Sequence, residues 1–74
     1  MISTEVLHRD AGWVRVDHGA GPEAFDSAIV TLVASRKMGV PMRRTHVRVW
    51  VNGALHDELT GIAISSVEAA SPAT

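Results

Sequence analysis

The chain has 74 residues, of which 46% are hydrophobic and 20% are charged. This length predicts one small domain and excludes a second, and this composition excludes wholesale disorder. It contains no cysteine, which excludes disulfides and thiolate metal sites. The net charge of -1 averages two unlike parts, because residues 36–48 carry five of the seven basic residues and no acid, whereas all eight acids lie elsewhere.

The chain begins with a predicted β-hairpin. Residues 6–9 and 13–17 have the composition of two short strands, and Asp10, Ala11 and Gly12 join them. Gly12 suits the left-handed position of a three-residue hairpin loop, because glycine has no Cβ to clash there. We therefore expect two antiparallel strands at the start of the domain.

A helix is predicted over residues 22–38. Pro22 suits its first position, because the missing N–H of proline costs nothing there, and Gly39 suits its end. An apolar stripe at three- and four-residue spacing consists of Phe25, Ala28, Ile29, Leu32 and Val33. The outer side, with Val30 and Ala34, is more apolar than a fully solvated helix surface and indicates a contact surface.

The clearest predicted strand covers residues 45–51. Three valines alternate there with His46, Arg48 and Trp50. The strand therefore has one apolar side and one side that carries an imidazole, a guanidinium and an indole.

The dipeptide Asn-Gly at 52–53 predicts a tight hairpin, with residues 55–60 as the returning strand. Two registers are open. A two-residue loop pairs Val51 with Ala54, and a bulged loop pairs Trp50 with Ala54. We favour the bulged register, because it places the leucines of the returning strand beside the valines and Glu58 opposite His46.

These elements predict an α+β fold with the order ββαββ and a fifth strand over residues 62–67, after a bend at Gly61. We expect a single domain over residues 1–68 and a flexible tail over residues 69–74. One helix packs on one face of the antiparallel sheet, against Val14, Val16, Val47 and Val49. The other face stays uncovered and presents Trp13, Arg15, His46, Arg48 and Trp50.

Two interpretations of the uncovered face are open. Its indoles and guanidiniums could stack on bases and neutralise phosphates of a single-stranded nucleic acid. They could instead be buried at a protein interface, where Trp and Arg are enriched, with the arginines paired to acids of neighbouring strands. We favour the protein interface, because Asp17, Asp57 and Glu58 would repel phosphate.

The basic segment, residues 36–48, also has several interpretations. Its positive charge could attract a phosphate backbone, an acidic protein or the acidic part of a second copy, and a solvated loop is the simplest alternative. Arg43 and Arg44 are adjacent, so in a strand they would point to opposite faces. We expect them to orient a partner rather than to clamp one anion together.

The sequence predicts neither a metal site, nor a cofactor, nor enzymatic activity. The four histidines do not stand in a recognised ligand spacing; they are His8, His18, His46 and His56. No serine lies in a nucleophile-elbow pattern, and no glycine-rich loop has the phosphate-binding spacing. We therefore expect a non-enzyme.

We predict a small cytoplasmic protein-interaction module. Glu5, Arg9 and Asp10 interrupt the N-terminal region where a signal peptide needs an apolar core, and no apolar run is long enough to span a membrane. The small size favours a homodimer. The predicted partner-binding residues are Trp13, Arg15, Arg43, Arg44, His46, Arg48 and Trp50. The alternative is a nucleic-acid-binding accessory factor that uses both tryptophans and the basic segment.

The chain resembles one class of proteins, and the resemblance lies in its composition and not in any motif. Ala, Val, Arg and Gly are frequent and Lys is rare, which resembles coding from a high-GC genome. In this composition and in its size, the chain is similar to small accessory proteins of actinobacterial phages. This resemblance transfers no functional residue and implies only that the partner is a host protein.

Overall fold

The computed structural model describes residues 1–70, which form a four-stranded sheet and two helices. The elements in chain order are β1 (Ile2–His8), β2 (Gly12–Gly19), α1 (Ala24–Lys37), β3 (Val47–Val51), β4 (Ala54–Leu55) and α2 (Asp57–Ala70). Each half of the chain is thus a β-hairpin followed by a helix. The predicted α+β class with an antiparallel sheet is confirmed.

The strands lie in the order β2-β1-β3-β4, and every neighbouring pair is antiparallel. One hydrophobic core joins the sheet to both helices, and its buried members are Val6, Leu32, Val40, Val47, Val49, Ala63, Ile64 and Val67. Val47 and Val49 alternate along β3, and Val6 of β1 is the cross-strand partner of Val47, so these three side chains point to one face. Both helices therefore pack on the same face of the sheet, which we call the helix face.

The first hairpin and the first helix agree closely with the sequence. The loop of residues 9–11 joins β1 to β2, and Gly12 has the predicted positive φ, of 73°. Helix α1 lies within the predicted range and buries Ala28 and Leu32 from the predicted stripe. Val14 and Val16 lie on the helix face as expected, but 37% and 38% of their surface stays exposed because β2 is an edge strand.

The C-terminal region differs from the prediction. The returning strand stops at Leu55, and Asp57–Ala70 forms helix α2 in place of the rest of that strand and the fifth strand. Residues at four-residue spacing face the core, namely Leu59, Ala63 and Val67. Gly61 lies within this helix and is not a bend. Residues 69–70 of the predicted tail belong to α2, and residues 71–74 lie outside the described part.

The register of the second hairpin is also not the favoured one. Val51 pairs with Ala54 and Trp50 with Leu55, so the loop has two residues. Asn52 and Gly53 both have positive φ, of 51° and 82°, which is the geometry that a two-residue hairpin loop prefers. Leu55 therefore shares a face with Trp50, and Glu58 lies in α2 and not opposite His46.

Candidate functional site

No helix of the described residues covers the face of the sheet opposite the helix face, and we call this second face the open face. Glu5 is the cross-strand partner of both Arg15 and Arg48, which places these three side chains in one row. Leu7 pairs with Trp13, and Ser3 pairs with both Asp17 and Trp50. The open face thus brings together four of the predicted binding residues: Trp13, Arg15, Arg48 and Trp50.

Glu5 lies at the centre of the open face and contacts two of its neighbours. Its carboxylate accepts a hydrogen bond from the indole Nε1–H of Trp50 and lies 3.8 Å from Nη1 of Arg48. The guanidinium of Arg48 lies 3.8 Å above the ring centre of Trp13, which is a cation–π contact. One carboxylate and one guanidinium therefore link the two tryptophans, which lie on different strands.

A second polar cluster lies beside the first. The hydroxyl of Ser3 donates a 2.6 Å hydrogen bond to Asp17, and Nε of Arg15 lies 3.4 Å from the same carboxylate oxygen. The Ser3 hydroxyl and the Arg15 guanidinium lower the pKa of Asp17 below its ordinary value of 3.8. Asp17 is therefore ionised at neutral pH, and its charge balances that of Arg15.

The formal charges of the open face cancel, because it carries two arginines, Arg15 and Arg48, and two carboxylates, Glu5 and Asp17. Two guanidiniums, those of Arg15 and Arg48, each lie within 4.0 Å of a carboxylate. The exposed fraction is 41% for the side chain of Arg48 but 19% for that of Glu5. The surface therefore offers partly exposed guanidiniums and half-buried indoles, whereas the central carboxylate is largely covered.

The other three predicted binding residues lie away from the open face. His46 lies in the turn before β3 and not in the strand, and its Nδ1 is 2.9 Å from the hydroxyl of Thr45. Arg43 is exposed in the segment between α1 and β3. The guanidinium of Arg44 lies against α2, where a Cβ added to Gly61 would meet its Nη2 at 2.7 Å.

The basic segment is consequently not one patch. Arg44 lies beside α2, on the helix side of the sheet, whereas Arg48 lies on the open face. Val40 is buried and Met42 packs against the core, so this segment is anchored and is not a free loop. Its cations cannot all approach one ligand.

Sequence reasoning missed two residues of the open face, Ser3 and Glu5. The first predicted strand began at residue 6, whereas β1 begins at Ile2. The signal was present, because Ser3, Glu5 and Leu7 alternate with Ile2 and the buried Thr4 and Val6. The missed carboxylate is the group that links the two tryptophans.

A cleft lies at one end of the sheet, between the β1–β2 loop and the segment that follows α1. Its volume is about 920 Å³, and aliphatic side chains line much of it, among them Val14, Met38 and Val40. His8 and His46 also line it. Among residues 1–70, no group of three or more metal-ligating side chains could hold a metal ion. No helix among them is long and apolar enough to cross a membrane.

Three comparisons with known proteins give no relative. No protein-family model, no curated protein and no solved structure matches this chain.

Proposed function

We propose that this chain is a small, non-enzymatic protein-interaction module that binds a folded protein partner through its open face. The partner surface combines an apolar patch, which contacts Trp13 and Trp50, with a carboxylate that contacts Arg48. The observation that carries the proposal is the pair of half-buried indoles on a sheet face that no helix of the described residues covers. Tryptophan and arginine are the residues that most often anchor protein interfaces.

The arrangement of the anchors supports a preformed binding surface. Glu5 holds the indole of Trp50 by a hydrogen bond, and Arg48 stacks on Trp13. Side chains that are already ordered lose less conformational entropy when a partner binds. The open face is therefore suited to a folded, complementary surface.

The charge distribution favours a protein partner over a nucleic acid. Carboxylates on the open face balance both of its guanidiniums, so this face has no net positive charge, and Arg44 lies on the other side of the sheet. Polyanion binding depends on cations that neutralise several phosphates along one track. Nucleic-acid binding, the alternative function, therefore has weaker support than protein binding.

Intrinsic fluorescence tests the proposal, because Trp13 and Trp50 are the two tryptophans of the chain and both lie on the open face. Proteins captured from a lysate are purified and titrated singly against the module. We expect a true partner to change the tryptophan emission and to lose at least tenfold in affinity with Trp50→Ala. The matched control, Ile62→Ala on the exposed side of α2, should bind like the wild type. Equal binding by the Trp50 variant and the wild type would contradict the proposal.

Labelled oligonucleotides test the alternative function. Single- and double-stranded probes are mixed with the protein at about 50 and about 200 mM salt, a range over which phosphate-dominated binding weakens by orders of magnitude. We expect no retention of either probe at the lower salt. Retention that is lost at the higher salt and abolished by Arg48→Ala would favour the nucleic-acid function instead.

A further inference from the structure

The two edges of the sheet differ in length. Strand β4 forms one edge with two residues, Ala54–Leu55, whereas β2 forms the other edge with eight residues, Gly12–Gly19. A long edge strand exposes main-chain donors and acceptors unless proline, lysine or a covering element protects it. Strand β2 contains neither proline nor lysine, its two charged residues, Arg15 and Asp17, are paired with each other, and its register irregularity lies near its C-terminal end, opposite residues 2 and 3 of β1. The regular stretch over residues 12–17 is therefore an edge at which another strand can add.

The hydrogen bonds of β1 show which main-chain groups of β2 face outward. The N–H of Leu7 donates to the carbonyl of His46, so the odd-numbered residues of β1 direct their main-chain groups towards β3. The even-numbered residues therefore bond to β2, where Thr4 pairs with Val16 and Val6 with Val14. By alternation, Trp13, Arg15 and Asp17 direct their N–H and C=O groups away from the sheet.

The side chains of β2 match a second copy of the same strand. In an antiparallel pair with a two-fold axis at Arg15, each Arg15 lies opposite Arg15 of the second copy, and Trp13 lies opposite Asp17 of the second copy. The outward main-chain groups of Trp13, Arg15 and Asp17 are then all hydrogen-bonded. Val14 then lies opposite Val16 of the second copy. These two valines are 37% and 38% exposed on the helix face, and the pairing would cover both.

The charges of the edge permit this register. The axis brings the two copies of Arg15 opposite each other, which alone would be unfavourable. Each Arg15 already lies 3.4 Å from Asp17 of its own chain, and Asp17 of the second copy becomes its diagonal neighbour. Each Arg15 therefore has one carboxylate of its own chain and one of the second copy as neighbours, and these balance the charge of the facing guanidiniums.

We propose that two copies of this chain associate through antiparallel pairing of their β2 strands about an axis at Arg15, forming one continuous eight-stranded sheet. The open faces of both copies then lie on the same side. The dimer does not rest on the proposed function, because its pairing uses main-chain groups at the edge of the sheet, although Trp13 and Arg15 border both surfaces. A partner that binds the open face would meet two equivalent surfaces.

Single cysteines test the axis, because the chain has no cysteine of its own. Residues of a hydrogen-bonded antiparallel pair have Cα atoms about 5.5 Å apart, which a disulfide can span. We expect Arg15→Cys to form a covalent dimer on mild oxidation and Ile62→Cys, on the exposed side of α2, to remain monomeric. Preferential cross-linking of Val16→Cys over Arg15→Cys would move the axis to Val16 and overturn the proposed register.

A matched pair of valine substitutions tests the edge itself. Sedimentation should give twice the chain mass for the wild type and for Val30→Lys, whose side chain is already 68% exposed on α1. Val16→Lys should sediment as a monomer with an unchanged circular dichroism spectrum, because it places an ammonium group in the junction. A wild-type protein that stays monomeric at every concentration would overturn the proposal. So would a dimer that Trp50→Ala dissociates and Val16→Lys does not, since that result places the second copy on the open face.

Discussion

The hydroxyl of Thr60 lies 3.0 Å from the main-chain nitrogen of Val49 and accepts its hydrogen bond. The same hydroxyl lies 3.0 Å from the carbonyl oxygen of His56, to which it donates, and the N–H of His56 donates to the carbonyl of Val49. His56, just before α2, thus bonds the carbonyl of Val49, and Thr60 of α2 bonds its N–H. Strand β4 ends at Leu55, because a continuing strand would bond the N–H of Val49 through the carbonyl of His56, and Thr60 accepts that hydrogen bond instead.

Replacing Thr60 by valine should destabilise the fold. Valine has a similar shape but no hydroxyl, so the N–H of Val49, which lies in a buried strand, loses its acceptor, at a cost of about 1–3 kcal/mol. Thr60→Ser keeps the hydroxyl and loses one methyl group, at a cost of about 1 kcal/mol. Urea unfolding measures both values. A Thr60→Val variant more stable than Thr60→Ser would show that the hydroxyl does not matter.

His18 should make stability depend on pH. Its Nε2 lies 2.7 Å from the hydroxyl of the buried Thr4 and its Nδ1 lies 3.0 Å from that of Ser27. Burial lowers the pKa of His18 below its ordinary value of 6.5, and the charge of Asp17 opposes this effect. The unfolded chain therefore takes up a proton at a higher pH than the folded chain does. Stability is fully present above pH 6.5 and decreases as the pH falls from 6.5 through the folded-state pKa.

The variant His18→Gln isolates this effect, because glutamine keeps a donor and an acceptor but does not titrate in this range. We expect the free energy of unfolding of the wild type to fall between pH 7.5 and pH 5, and that of the variant to fall less. Asp17 titrates below 3.8 in the folded chain, outside this window. Parallel curves for the two proteins would exclude His18 as the cause.

Gly61→Ala should stabilise α2. Alanine is favoured over glycine inside a helix by about 1 kcal/mol. Its Cβ would meet Nη2 of Arg44 at 2.7 Å, but this atom is the end of a long side chain that can move away. Thermal unfolding should therefore show a gain of up to about 1 kcal/mol. In an Arg44→Ala background the gain should be at least as large, and a smaller gain there would contradict this account.

Gly53→Ala should have the opposite effect. Gly53 has φ of 82° in the two-residue hairpin loop, where a Cβ costs about 1–2 kcal/mol. The matched control is Gly21→Ala, because Gly21 does not have a positive φ and a Cβ there would meet nothing within 4 Å. Denaturant unfolding should show a loss for the first variant and a change within about 0.5 kcal/mol for the control. Equal effects of the two substitutions would exclude backbone strain as the reason.

The strands and the first helix could be predicted because their patterns are local. The strict alternation around Val47 and Val49 and the helical stripe around Leu32 each follow from a single periodicity. Helix α2 was missed because Gly61 interrupts a short segment whose residues also suit strands. The four-residue spacing of Leu59, Ala63 and Val67 was the signal that distinguishes the two.

The candidate site was predictable only in part, for related reasons. Trp13, Arg15, Arg48 and Trp50 follow from alternation within their own strands. The central position of Glu5 depends on β1 lying between β2 and β3, which local patterns do not specify. The position of Arg44 depends on α2, so a predicted strand over residues 62–67 could not locate it.

The unequal edges of the sheet also determine how far the proposed self-association could extend. A subunit in which both edge strands can pair with other strands can add further subunits indefinitely and form a filament. Here the other edge strand, β4, has only two residues, because the chain continues from it into α2, so this edge offers too few main-chain groups for another strand to pair with. In the proposed dimer each copy uses its one long edge, so assembly would stop at two copies and the short hairpin would prevent polymerisation.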